Sequence, residues 1–249
     1  MERLKRILPI LDGVAAVSMT VAALALLWWL VSGRVGAPQM ELVGAAREAP
    51  AGAAEDVEAL RLTVAPSSDS PASASGARVA IIEFADFECP FCEKYAHETL
   101  PRLRADFVEP RKVIYLFKHF PLDMHPQARA AAQMAVCAAA QAKFWEMHAL
   151  LFGSPRNLAP HALTGYARGL RLDNSKLQTC LSESAARIDR DEAEGKRLGV
   201  TSTPTFLFGE IAKDGSISVR RRIMGAYGYE AFRAAIQGLL DASPVRAGN

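Results

Sequence analysis

Hydrophobic and polar positions divide the chain into one long apolar block, a polar connector and a body of short alternating runs. Residues 14–32 carry no charge; Arg3, Lys5 and Arg6 precede them and Arg34 closes them. As a helix this block spans roughly 28 Å at about 1.5 Å per residue, close to the hydrocarbon thickness of a bilayer. Trp28 and Trp29 fall at its far end, where amphipathic rings favour the interface. The basic excess before the block keeps a short tail, residues 1–13, inside and exports the rest. A cleaved signal peptide is the rival reading. The block exceeds the usual signal core of about 7–15 residues, and its best small-residue site, Val35-Gly36-Ala37, is followed by Pro38. The pattern is therefore read as a transmembrane anchor over residues 14–32.

Residues 33–76 are rich in Ala, Gly, Pro and Ser and hold no sustained period, apart from a short helical stretch around 54–62. They read as a flexible linker, with a reach of roughly 35–40 Å by the random-chain rule. The body, residues 77–243, begins with the β-rich run Val79-Ala80-Ile81-Ile82-Glu83-Phe84-Ala85, of the kind that forms a buried central strand. A helix follows from Cys89 through Leu100, then a strand over 112–117. Helical periodicity runs from Pro126 to Leu198, with breaks around 154–160 and 172–174. Strands are expected at 205–208 and 217–223, separated by the turn Lys213-Asp214-Gly215, and a last helix at 229–240. Strand, helix, strand, helical block, hairpin and helix together imply a mixed α/β sheet with a helical subdomain, about 123–198, inserted in its middle.

Composition changes this picture little. The formal charge of +2, with no basic stripe interleaved with aromatics, excludes a nucleic-acid partner. Four cysteines are too few for a disulfide scaffold, so their placement matters more than their number.

Cys89-Pro90-Phe91-Cys92 follows a strand and opens a helix. Pro90 suits the first helical position, because its missing N–H has no partner there anyway. Cys89 then sits at the cap, where unpaired N–H groups and the positive end of the helix dipole favour thiolate over thiol. A lowered pKa makes Cys89 a good leaving group and stabilises the reduced form. Cys92, one turn in, is the buried resolving thiol. A structural zinc site would need a second CxxC or a Cys/His pair, and Cys137 and Cys180 stand alone. The motif reads as a redox-active disulfide, Cys89–Cys92, that needs no metal or organic cofactor.

The run Glu83-Phe84-Ala85-Asp86-Phe87-Glu88-Cys89-Pro90-Phe91-Cys92 resembles the active-site strand and helix of the DsbA-like family of thioredoxin-fold thiol–disulfide oxidoreductases. Lys143-Phe144-Trp145-Glu146-Met147-His148 resembles a motif of that family's helical insert, and Gly199-Val200-Thr201-Ser202-Thr203-Pro204-Thr205-Phe206 its loop before the third strand. Residues 225–232 resemble the approach to its last helix. The resemblance covers residues 78–240 and implies a thioredoxin fold with an inserted helical subdomain. It implies that Pro204 is cis beside the disulfide and that Thr203 offers its backbone to an extended substrate. It places Glu83 as a buried acid below the disulfide, able to relay protons to Cys92, with Lys118 as a candidate partner. An exposed strand-edge glutamate is the alternative. It further implies a second, structural disulfide between Cys137 and Cys180; two buried free cysteines are the alternative.

One departure is plain. Strongly oxidising members carry His between the cysteines, whereas this chain has Phe91, and Asp86, Glu88 and Glu93 add negative charge that opposes a low thiol pKa. His97, His119, His125, His148 and His161 read as solvated or hydrogen-bonded, and Phe144 and Trp145 as core of the insert. The expected activity is that of a protein disulfide oxidoreductase of a bacterial inner membrane, its C-terminal body in the periplasm. It would donate disulfides to exported proteins with exposed cysteines and be recharged by a quinone-linked membrane oxidase. The alternatives are a reductase or isomerase kept reduced by a membrane thiol reductant, and a non-catalytic peptide-binding or chaperone module.

Overall fold

The computed structural model describes residues 54–57, 61–63 (as backbone) and 76–242; the expected tail, anchor and most of the linker lie outside them. No helix among the described residues is long and apolar enough to cross a membrane. In chain order the strands are β1 (Glu55–Asp56), β2 (Arg61–Thr63), β3 (Val79–Ala85), β4 (Val113–His119), β5 (Thr205–Ile211) and β6 (Ser216–Met224). The helices are α1 (Pro90–Glu98), α2 (Leu100–Leu103), α3 (Ala128–Ala139), α4 (Phe144–Gly153), α5 (Pro160–Gly169), α6 (Asn174–Arg197) and α7 (Tyr229–Ala242). A π-helical turn, Arg104–Val108, extends α2, a detail no period in the sequence announces.

β3 is buried at every position, as a strand covered on both faces must be. It pairs parallel with β4 and antiparallel with β5, and β5 pairs antiparallel with β6, giving the path β1-β6-β5-β3-β4 with β2 also on β6. Helices α3 to α6 form the insert between β4 and β5, close to the expected bounds.

The linker reading needs correction at 54–57 and 61–63. Where the sequence reads as linker with a helical stretch, β1 and β2 instead lie antiparallel on the edge of β6. An open edge presents unpaired N–H and C=O groups, and β6 carries three successive arginines. Arg222 meets the Glu55 carboxylate at 3.0 Å and Arg221 that of Asp56 at 3.3 Å. Pairing with a strand far along the chain overrides the weak local period.

Strand alternation divides the core. One face of the sheet, with Val79, Ile81, Tyr115 and Phe206, packs beneath α1 and α7 against Tyr95, Phe232 and Ile236. The other face, with Ile82, Phe84 and Leu116, packs against Phe120, Leu198 and Val200 at the end of α6. The insert packs Phe144, Met147 and Phe152 against Phe117 of β4, in a core that reaches the active-site cysteines. At the crossing of α6 over the sheet, a Cβ on Gly195 would lie 2.6 Å from the Phe120 ring, so only glycine permits the approach.

Candidate active site

β3 ends at Ala85, and the next three residues form the base of the site. The buried Asp86 carboxylate accepts from the Glu88 N–H at 2.7 Å and the Leu122 N–H at 2.8 Å, and lies 2.7 Å from His125 Nδ1. Glu88 accepts from the Gln127 N–H at 2.7 Å. Two of the acids expected to oppose thiolate formation are thus spent on holding the 122–127 loop.

Cys89 caps α1 in extended geometry with proline at the first turn, and its carbonyl accepts the Glu93 N–H at 3.1 Å. Both thiols are reduced and withdrawn from solvent, Cys89 at 4% exposure and Cys92 at 0%. The Thr203–Pro204 peptide is cis, and the Cys89 thiol donates to the Thr203 carbonyl at 3.3 Å. Hydrogen bonding from the Cys92 thiol, aided by the N–H groups at the start of α1, brings the Cys89 thiol down to about 6 against the opposing effect of burial. Burial, the neighbouring Cys89 and the Glu83 carboxyl push Cys92 the other way, well above an ordinary thiol. One thiol is activated and its neighbour held protonated.

Glu83 lies on the sheet face beneath α1 at 1% exposure, not at an exposed strand edge. Burial pushes its carboxyl up to about 8. The Tyr115 hydroxyl donates to Oε2 at 2.5 Å and lies 3.1 Å from the Tyr95 hydroxyl, while Oε1 has no hydrogen-bond partner among the described residues. Lys118 is not its partner. In register Glu83 faces Phe117 while Lys118 faces Phe84, so the lysine points to the opposite face. There it bonds Asp191 at 3.1 Å and Glu194 at 2.8 Å on α6. The sequence suggests Lys118 and passes over Tyr115, whose contact with Glu83 depends on the register between β3 and β4.

Cys137 and Cys180 form a disulfide that joins α3 to α6. Phe144 is buried and Trp145 bridges two core clusters. The histidines divide: His97 is exposed with Nε2 3.1 Å from the Phe152 carbonyl oxygen, whereas His119 and His148 are buried. The solvated reading fails for His148, whose imidazole burial and the Arg104 charge hold down at about 3. Three large apolar side chains stand exposed among the described residues: Phe91 at 62%, Met124 at 77% and Met224 at 40%. Phe91 lies inside the motif, Met124 in the loop bound by Asp86 and Glu88, and Met224 opposite Thr205. The two methionines carry no sequence signal, since single apolar residues at a loop and a strand end are ordinary.

A family model described as Thioredoxin matches residues 74–222. Solved structures share the fold. DsbA2 of Pseudomonas aeruginosa is 26% identical with a TM-score of 0.54, covering 71% of this chain and 96% of that one. α-DsbA1 of Wolbachia pipientis is 21% identical with a TM-score of 0.57, covering 67% and 88%. BdbD of Bacillus subtilis is 20% identical with a TM-score of 0.55, covering 67% and 90%. Among curated sequences, Na(+)/H(+) antiporter NhaA 3 of Salinispora tropica is 35% identical over 212 residues, 81% of this chain. The chain spans only 30% of that antiporter's length, and 28% of the length of NhaA 1 of Salinispora arenicola.

Proposed function

We propose, from the premise that this chain belongs to the thioredoxin family and has the DsbA-like form of its fold, that it is a thiol–disulfide oxidoreductase donating the Cys89–Cys92 disulfide to exported proteins. The observation that carries the reading is the asymmetric pair: Cys89 at the start of α1, 3.3 Å from the Thr203 carbonyl with its thiol at about 6, and Cys92 buried above Glu83 with its thiol raised. Stabilising the Cys89 thiolate stabilises the reduced form, which makes the oxidised form the better disulfide donor.

A substrate thiolate attacks Cys89 Sγ of the oxidised pair. The S–S bond breaks, its electrons pass to Cys92, and Glu83, protonated below about pH 8, is placed to supply the proton. A second substrate thiolate attacks the substrate sulfur of the mixed disulfide and displaces Cys89 as thiolate. Two electrons pass from the substrate dithiol to the Cys89–Cys92 pair. Thr203 lends its backbone to the extended substrate, with Pro204 shaping the loop. No metal or organic group takes part; the disulfide carries the electrons. A quinone-linked membrane oxidase restores it, and the apolar block at residues 14–32 anchors the body on the periplasmic side of a bacterial inner membrane. Sodium–proton exchange does not follow from the antiporter relatives, because most of each antiporter is unmatched.

Phe91 favours a second reading, reductase or isomerase, since a phenyl ring gives the thiolate no charge stabilisation. Oxidative refolding of a reduced client separates the two. A donor restores client activity in stoichiometric amounts and Cys89→Ser abolishes this. A reductase is inert there and instead reduces insulin disulfides. Client binding that survives Cys89→Ser, with neither activity present, supports a non-catalytic binding module.

A further inference from the structure

Beneath the thiol pair, three buried side chains from three different elements form one hydrogen-bonded chain: Glu83 of β3, Tyr115 of β4 and Tyr95 of α1. Tyr115 Oη lies 2.5 Å from Glu83 Oε2 and 3.1 Å from Tyr95 Oη. Tyr95 follows Cys92 by three residues, and these two are the buried side chains of α1. The helix that carries the resolving thiol therefore also carries the far end of the chain. Cys92 and Tyr95 from α1 and Tyr115 from β4 are the titratable groups coupled to the Glu83 charge. The other elements bring apolar groups: β5 sets Phe206 opposite Glu83, and α7 adds Phe232 against Tyr95.

Counting hydrogens fixes the direction of this chain when Glu83 is ionised. A carboxylate only accepts, and each phenol has a single hydrogen to give. Burial pushes both phenols well above their ordinary range, so each keeps that hydrogen. The Tyr115 hydrogen goes to Oε2, and among the described residues Tyr115 is the one hydrogen-bonding group that meets the Tyr95 hydroxyl. Both hydroxyls therefore point along the chain toward the acid, Tyr95 donating to Tyr115 and Tyr115 to Oε2. The other carboxylate oxygen, Oε1, is buried with no hydrogen-bond partner among the described residues. We infer that Tyr95 is a positioning residue of the thiol–disulfide reaction: donating to Tyr115, it holds ionised Glu83 by Oε2 and leaves Oε1 to take the proton of Cys92. This deepens the oxidoreductase reading and rests on it. When Cys92 resolves a mixed disulfide, its S–H bond breaks and the proton passes to Oε1. The Cys92–Cys89 bond forms as the bond from Cys89 to the partner sulfur breaks, and the partner leaves as thiolate. Disulfide donation runs the same proton back from Glu83 to Cys92.

The test compares Tyr95→Phe, Tyr115→Phe and the double variant in the full chain by two readouts. One is the pH titration of the protonated Glu83 C=O stretch in the infrared, assigned by its loss in Glu83→Gln. The other is the pH profile of glutathione release from a Cys89 mixed disulfide, formed at acid pH and then jumped upward. A hydroxyl that itself accepts a hydrogen bond donates more strongly, so losing the Tyr95 oxygen weakens the hold on the carboxylate. In Tyr95→Phe both midpoints should rise by about 0.3 of a pH unit, roughly a twofold loss of rate below the midpoint. Tyr115→Phe should raise them further, and the double variant should match Tyr115→Phe, because Tyr95 acts only through Tyr115. Midpoints unmoved in Tyr95→Phe while glutathione is still released overturn the role of Tyr95 and leave the oxidoreductase reading standing. Additive shifts in the double variant overturn the chain, since Tyr95 would then act by another route. A wild-type protein that never releases glutathione overturns the oxidoreductase reading and this role with it.

Discussion

At residue 83 strand parity decides the chemistry. Odd positions of β3 and β4 face α1, so Glu83 meets Tyr115 while Lys118 is carried to the other side of the sheet. The sequence offered the acid six residues before Cys89; which side chain would touch it depended on a register between distant strands. A carboxyl raised from 4.5 to about 8 is protonated in the folded state where the unfolded chain has lost its proton. The Glu83 contribution to stability is therefore fully present below pH 4.5 and is lost as pH rises from there through about 8, a loss of about 3 kcal/mol at pH 7 as an upper bound by linkage. Glu83→Gln should remove this slope and stabilise the oxidised protein at neutral pH, read from denaturant midpoints across pH 5–9. The same variant should slow Cys92-dependent resolution of a mixed disulfide by about a hundredfold or more. Tyr115→Phe should move the pH midpoint of that step above the wild-type value near 8, because the tyrosine donation lowers the Glu83 pKa. Unchanged pH profiles in both variants would remove Glu83 from the relay. At Cys89 the shift has the opposite sign. Alkylation of the reduced protein should follow a thiolate titrating near pH 6 and modify Cys89 alone, as peptide mapping would report.

At the scale of elements, the buried central strand, the motif helix and the insert were legible because each carries a strong local period or cap. The edge strands β1 and β2 and the π-helical turn were not. The former depend on β6 and the latter on packing at the end of α2. Contacts between elements set the largest stability effects outside the redox centre. The Cys137–Cys180 bridge closes a loop of 43 residues between α3 and α6. Replacing both cysteines by alanine should lower stability by about 4 kcal/mol in the chain-entropy treatment, measured by chemical denaturation. Gly195→Ala drives a methyl against Phe120 and should cost about 1–3 kcal/mol. A neutral result there would mean that the ring moves aside freely.

On the scale of the whole molecule, the order of motifs along the chain was enough to indicate the DsbA-like arrangement, because the active-site strand, the insert and the Thr-Pro loop occur in one sequence. Geometry adds the asymmetry that supports the proposed donation: an activated thiol at a helix start, a protonated one beneath it and a buried acid below both. Anchoring through residues 14–32 would keep this centre at the membrane surface, within reach of a quinone-linked partner. All of this converges on one number, the equilibrium potential of the Cys89–Cys92 pair against glutathione in the full chain. The account predicts a two-electron transition clearly above the roughly −270 mV of thioredoxin and toward the roughly −120 mV of DsbA, because a lowered Cys89 pKa stabilises the reduced form. A value at or below that of thioredoxin would contradict disulfide donation, and a pair that fails to exchange with glutathione would contradict the redox reading itself.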